Sequence, residues 1–234
     1  ADRNRSHWST SKTPSYTKSV SWQHHLIFVA QPSGGQKKRA KESGVTLLYT
    51  PFAREAFVFI VNADNPVNSL TEQQVRDIFS GAITNWRAVG GNDQEIQTWQ
   101  RPEDSGSQTV MQSQVMKNVR MISPQETKVA SVMEGMIKVV AEYRNTNNAI
   151  GYTFRYYATQ MNADKNIKLL AINGITPTAE NIRNGKYAYI VDAFMVTREN
   201  TTSETQKLVE WFLTPQGQSL VEDVGYVPLY PTME

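Results

Sequence analysis

An α/β fold is what this sequence predicts, and three observations predict it. Short apolar runs of strand length alternate with segments whose apolar residues recur at helical spacing. The helical segments carry explicit start and stop residues. The first run, Leu26-Ile-Phe-Val-Ala30, is continuously apolar, as in a strand buried on both faces of a parallel sheet.

The elements follow in order. Gln31-Pro-Ser-Gly-Gly35 is a loop, and Gln36-Lys-Lys-Arg-Ala-Lys41 is the solvated face of a short helix ending at Gly44. Residues 45–49 and 56–61 are further strands, the second broken by Asp64-Asn-Pro66. Leu70-Thr-Glu-Gln-Gln-Val75 is a specified helix start. Thr71 and Gln74 match a capping box, Leu70 and Val75 a hydrophobic staple, and Gly81 a stop. Residues 95–101 alternate and read as a strand with Arg101 at its tip. Residues 133–143 are an amphipathic helix, and 150–154, 167–172 and 187–196 are strand-like. Residues 205–213 form a helix, and Thr214-Pro215 starts another with a cap and a proline at its first position. Residues 1–25 have no clear period and read as an irregular or atypical arm, or as a short helix after Thr13-Pro14.

Composition excludes several classes of function. The chain has 234 residues, enough for one large domain or two small lobes. A net charge of +2 with no basic stripe argues against nucleic acid. Cysteine is absent, which removes disulfides, thiol nucleophiles and Cys-ligated metals. No apolar run is long enough to span a bilayer, and no signal peptide precedes the chain, which therefore reads as cytosolic, mature or trimmed. His7, His24 and His25 are the only histidines. All lie in the arm, none shares a ligand spacing with a carboxylate, and neither a Gly-x-Ser-x-Gly elbow nor a P-loop occurs. No enzyme activity, metal or cofactor is expected.

The chemistry concentrates in Arg101-Pro-Glu-Asp-Ser-Gly-Ser107. Ser105 is a good N-cap, Gly106 lets the backbone approach a ligand, Ser107 adds a hydroxyl, and apolar residues at 110, 111, 115, 116 and 119 continue a helix. A helix N-terminus with an adjacent guanidinium suits a tetrahedral oxyanion such as phosphate. A capped helix with a nearby Arg is also an ordinary structural feature. Asp104 reads as a solvated or Arg-paired carboxylate, Trp86 and Trp99 as packing residues, and Asp192 as a hinge-ordering or buried paired acid.

Several stretches together carry a family resemblance. They are Phe57-Val-Phe-Ile-Val-Asn62, Leu70-Thr-Glu-Gln-Gln-Val-Arg-Asp-Ile-Phe-Ser-Gly81, Ile83-Thr-Asn-Trp86 with Gly90-Gly91, and Arg101 to Ser107. Ala149-Ile-Gly-Tyr152 and Trp211-Phe-Leu-Thr-Pro-Gln-Gly217 with Gly225-Tyr-Val-Pro-Leu229 complete the set. In this order, over residues 26–229, the chain resembles the phosphate-binding proteins of bacterial ABC importers, of the type 2 periplasmic-binding-protein fold. The resemblance implies two α/β lobes, residues 1–58 with 192–234 and residues 59–191, each a mixed sheet flanked by helices. Residues 57–62 and 187–196 would be the crossing strands of the hinge.

The resemblance further implies that Arg101, Ser105, Gly106 and Ser107 bind phosphate, with Gln108 an added donor. Gln31 stands where the family usually has an Asp, and Ser33 is a nearby donor. Gln31 can accept through its carbonyl and donate through its amide but brings no charge, which weakens a proton test against sulfate. The family's opening strand and Gly-Ser-Thr loop are not found, which leaves a first-lobe edge open to homodimer formation. The implied role is extracytoplasmic capture of phosphate for a membrane ABC permease, by a lipoprotein in a Gram-positive source. Two alternatives stay open: a sensory or protein-interaction module with weak or no phosphate binding, and a binding protein for sulfate or molybdate.

Overall fold

The structure, a computed structural model, describes residues 26–29, 34–123, 128–142 and 148–233. Strands and short helices alternate as the sequence predicts. β1 is Leu26–Val29. α1, Gly34–Glu42, buries none of its residues, so its basic side chains are surface. The two strands expected over 45–49 and 56–61 are one, β2, Leu47–Asn62. Pro51 lacks the N–H that a ladder needs, and the register slips between Pro51 and Ala53, so the missing donor falls at an irregularity. β3 is Ser69–Leu70, and α2 is Glu72–Ser80. Thr71 and Gln74 close the capping box reciprocally, and Gly81 ends α2 in the left-handed conformation at φ 84°.

β4 is only Gln97–Thr98, shorter than the strand expected over 95–101. α3, Gly106–Val110, continues into a π-helical turn, Met111–Met116, that ends at Lys117 with φ 51°. The helix expected through residue 119 therefore stops early, and Met111, Val115 and Met116 of the π turn are all buried. α4 is Met133–Glu142 and β5 is Ala149–Phe154. A second π turn, Tyr157–Met161, follows β5. β6 (Ile167–Leu169) and β7 (Ala171–Ile172) divide the single strand expected over 167–172. The remaining elements are α5 (Ala179–Arg183), β8 (Ile190–Arg198), α6 (Ser203–Phe212), α7 (Pro215–Asp223) and β9 (Val227–Pro228). Thr214 caps α7 with Pro215 behind it, as expected.

β2 is the spine. Residues 47–56 pair antiparallel with β8, which also pairs with β1. Residues 57–61 pair antiparallel with β5, which in turn pairs parallel with β4. β6 and β9 add to β2 at residues 60–62 and 53–54. β3 and β7 form a separate parallel pair.

Two clusters of buried side chains follow this division. The larger contains Phe57, Phe59, Phe79 and Tyr152, with Phe57–Tyr152 and Phe79–Tyr152 ring centroids 5.4 and 5.6 Å apart. All six residues of β5 are buried, as befits a central strand. The smaller cluster contains Phe52, Ala53, Ala193, Met195 and Val221, with Phe212 and Tyr226 packed against it.

Candidate functional site

Arg101 follows β4 and precedes Pro102. A residue before proline is held out of the helical region, so the chain leaves the sheet extended. The Gln100 carbonyl accepts from the Ala130 N–H at 2.9 Å, which brings residues 128–130 alongside. The Arg101 guanidinium is then fixed by donating from Nη1 to the Ala130 carbonyl at 2.5 Å. Its backbone N–H donates to the Tyr152 hydroxyl at 3.0 Å. That hydroxyl, held by the aromatic cluster, itself donates to the Gln108 side-chain oxygen. Core packing and site geometry thus share one residue, Tyr152.

The turn closes with the Ser105 N–H donating to the Pro102 carbonyl at 2.9 Å. Ser105 caps α3, its hydroxyl accepting from the Gln108 N–H at 3.2 Å. Gly106 and Ser107 occupy the first two helical positions, whose N–H groups have no intrahelical acceptor. Arg101, Ser105, Gly106, Ser107 and Gln108 are all buried within this one turn. Two polar atoms here have no partner among the described residues, Arg101 Nε and Ser107 Oγ. A buried donor left unpaired costs about 1–3 kcal/mol, more when charged.

Burial lowers the Arg101 pKa, partly offset by Tyr152, Tyr157 and Asp104. A guanidinium starts so high that it keeps its charge. Burial raises the Tyr152 pKa, which keeps that hydroxyl protonated and able to donate. A cleft of about 670 Å³ opens beside the turn, lined by Arg101, Gln108, Gln112, Met116, Lys117 and Arg120 among others. It reaches Arg101 and Gln108 but not Ser105, Gly106 or Ser107.

The structure therefore brings five of the predicted site residues together. Gln31 and Ser33 lie outside the described residues, as do the three histidines. Asp104 is exposed on the turn. Asp192 corrects the expectation of a buried acid, since it is exposed on β8 opposite Arg54. Trp86 is core, donating its indole N–H to the Asn148 carbonyl at 2.9 Å, and Trp99 is half-buried against the same cluster. Among the described residues, no group of three or more His, Asp or Glu is placed to hold a metal. Sequence reasoning missed Tyr152 and Ala130 as supports of Arg101. Only the Tyr of Ala149-Ile-Gly-Tyr152, polar-tipped in an apolar run, carried a signal.

The family model described as the PBP superfamily domain matches residues 25–216. The phosphate-binding protein PstS of Bacillus subtilis (strain 168) is 28% identical over 170 residues, covering 72% of this chain and 53% of that protein. The PstS of Borreliella burgdorferi is 26% identical over 181 residues, covering 76% of this chain and 64% of that protein. The chain thus spans between half and two thirds of the length of these curated relatives. Among solved structures, a putative phosphate ABC transporter substrate-binding protein with bound phosphate, from Clostridium perfringens, is 25% identical with a TM-score of 0.72. That match covers 88% of this chain and 79% of the other.

Proposed function

The chain belongs to the PBP superfamily, and on that premise we propose that it captures inorganic phosphate between two lobes and hands it to a membrane ABC importer. The observation that carries this reading is the pair of buried, unpartnered atoms, Arg101 Nε and Ser107 Oγ, at the start of α3. A phosphate seated there accepts from both, and from the Gly106 and Ser107 N–H groups at the positive end of the helix. Donors that are already rigid lose little entropy on binding and offset the dehydration of the anion. The names of the relatives support the same ligand.

In this reading the lobes are residues 1–58 with 192–234, and residues 59–191. Support for that division comes from β2, which changes partners after Ala56. Gln31 and Ser33 contribute from the first lobe, and closure of the lobes completes the shell around the anion. The role is capture and delivery, with no bond made or broken. Delivery to an importer places the protein outside the cytoplasm. No helix among the described residues is long and apolar enough to cross a membrane.

Calorimetric titration with phosphate, and with sulfate as control, tests the proposal. Phosphate-selective heat is expected. Arg101→Ala removes a charged donor and leaves its partners unpaired, so affinity falls about 100-fold. Unchanged affinity in that variant removes the site assignment. Equal heats for phosphate and sulfate replace the phosphate reading with a general oxyanion one.

A further inference from the structure

The cleft beside the anion turn is larger than the phosphate reading needs. Its volume of about 670 Å³ falls in the range of pockets that hold small organic molecules, and a single phosphate would leave most of it empty. Two of the side chains lining it are polar and almost wholly buried. Arg101, 6% exposed, keeps Nε without a partner among the described residues. Gln108, 4% exposed, has its side-chain oxygen taken by the Tyr152 hydroxyl. Its Nε2 donates to the Met121 sulfur at 3.7 Å. A thioether is a weak acceptor, so the amide N–H groups of Gln108 are under-used.

One wall of the cleft is irregular backbone. The π turn Met111–Met116 brings Met116 into the lining and ends at Lys117, held at φ 51° and ψ −109°. Side chains rarely adopt that conformation. It persists only where the surrounding structure over-determines it, and such strain, like a π turn, gathers at ligand sites.

The charge on this wall is unspent. Among the described residues neither Lys117 nor Arg120 makes an ion pair. Both are exposed, and so is the apolar Val119 between them. Arg101, Lys117 and Arg120 face a single acid in the lining, Glu103. Beside these cations lie Met116 and Met121, whose flexible, polarizable side chains accept apolar bodies of varied shape.

We propose that this cleft is a second ligand site, for a small amphipathic anion: an oxyanion head on an aromatic or aliphatic body. The head pairs with Lys117 and Arg120 and accepts from the Gln108 amide, while the body lies on Met116, Val119 and Met121. Inorganic phosphate has no body to bury there. The cleft and the phosphate turn share Arg101. Two anions that share one guanidinium repel each other, so each weakens the other, by linkage by the same factor. That coupling rests on the phosphate reading above, whereas the cleft itself does not.

The probe that tests it is anilinonaphthalene sulfonate, an aromatic sulfonate that fluoresces once out of water, in buffer free of phosphate. Its place is read by NMR from labelled methionine methyl groups, with Met116 and Met121 assigned by Leu substitution. Both signals are expected to move with the midpoint of the fluorescence. Uncharged N-phenylnaphthylamine, which lacks the sulfonate, binds at least about tenfold more weakly. The probe binds the double variant Lys117→Gln, Arg120→Gln more weakly by a similar factor, and these exposed positions leave the fold alone. Methionine signals that stay still, or equal binding of the uncharged compound, overturn the site. Added phosphate raises the probe's Kd at least about threefold and then has no further effect. A Kd that climbs without limit as phosphate rises means one common site and overturns the second. A constant Kd, in a chain that binds phosphate by calorimetry, overturns the sharing of Arg101. If the chain binds no phosphate, the phosphate reading fails, and the methionine signals and the uncharged compound still decide the cleft.

Discussion

Ser107 buries a hydroxyl that no described residue accepts from or donates to. Such a group weakens a fold unless a ligand completes it. Ser107→Ala is therefore expected to leave thermal stability unchanged or slightly raised, while phosphate affinity falls about tenfold. Calorimetric melting and phosphate titration read the two effects, and a loss of both would make Ser107 a structural residue. At this scale the sequence was legible wherever chemistry is local. Ser105 as a cap and Arg101 ahead of it follow from neighbouring residues alone. The supports of Arg101 do not, because Ala130 and Tyr152 reach it only through the pairing of distant segments. Glu55 was also hidden. The acid in Ala53-Arg-Glu-Ala56 falls between the strands expected over 45–49 and 56–61, and only the fold buries it.

Helix caps are the elements' own punctuation, and each rests on one or two side chains. In α2 the Thr71 hydroxyl accepts from the Gln74 N–H at 3.1 Å, while the Gln74 side chain accepts from the Thr71 N–H at 2.8 Å. Thr71→Ala removes the forward bond and is expected to cost about 1 kcal/mol, read as a lower midpoint in urea unfolding with unchanged slope. An unaltered midpoint would mean that packing of Val75, Ile78 and Phe79 alone specifies this helix. Gly217, on α7, has a different reason. A Cβ there would meet the Trp211 carbonyl oxygen and the Phe212 backbone, so glycine is what lets α6 and α7 approach. Caps were readable in the sequence because their partners lie three residues apart. The continuity of β2 was not, since Pro51 looks like punctuation until the irregularity beside it absorbs the missing donor.

For the whole molecule, the buried acid makes stability depend on pH. Glu55 is held near 7 when folded, against an ordinary 4.5. The folded state thus binds this proton more tightly. Its contribution to stability is fully present below 4.5 and is lost as pH rises through 7. Glu55→Gln cannot ionise, so its melting temperature relative to wild type should rise between about pH 5 and about pH 8. Parallel melting curves for the two proteins across that window would sink the assignment. The α/β class was legible from alternating periods, and the order of matching stretches pointed to the superfamily. The way one strand organises both halves was not legible, because it depends on which distant strands choose it.

That choice has a consequence for the chain while it is being made. β2 leaves the ribosome long before either of its main partners, for β5 and β8 both lie far downstream. Until they arrive, Phe57-Val-Phe-Ile-Val61 is a bare, uncharged, β-prone segment of the kind that seeks other chains. The strand on which the finished molecule depends is thus also a liability of the nascent chain, for as long as its partners are unmade.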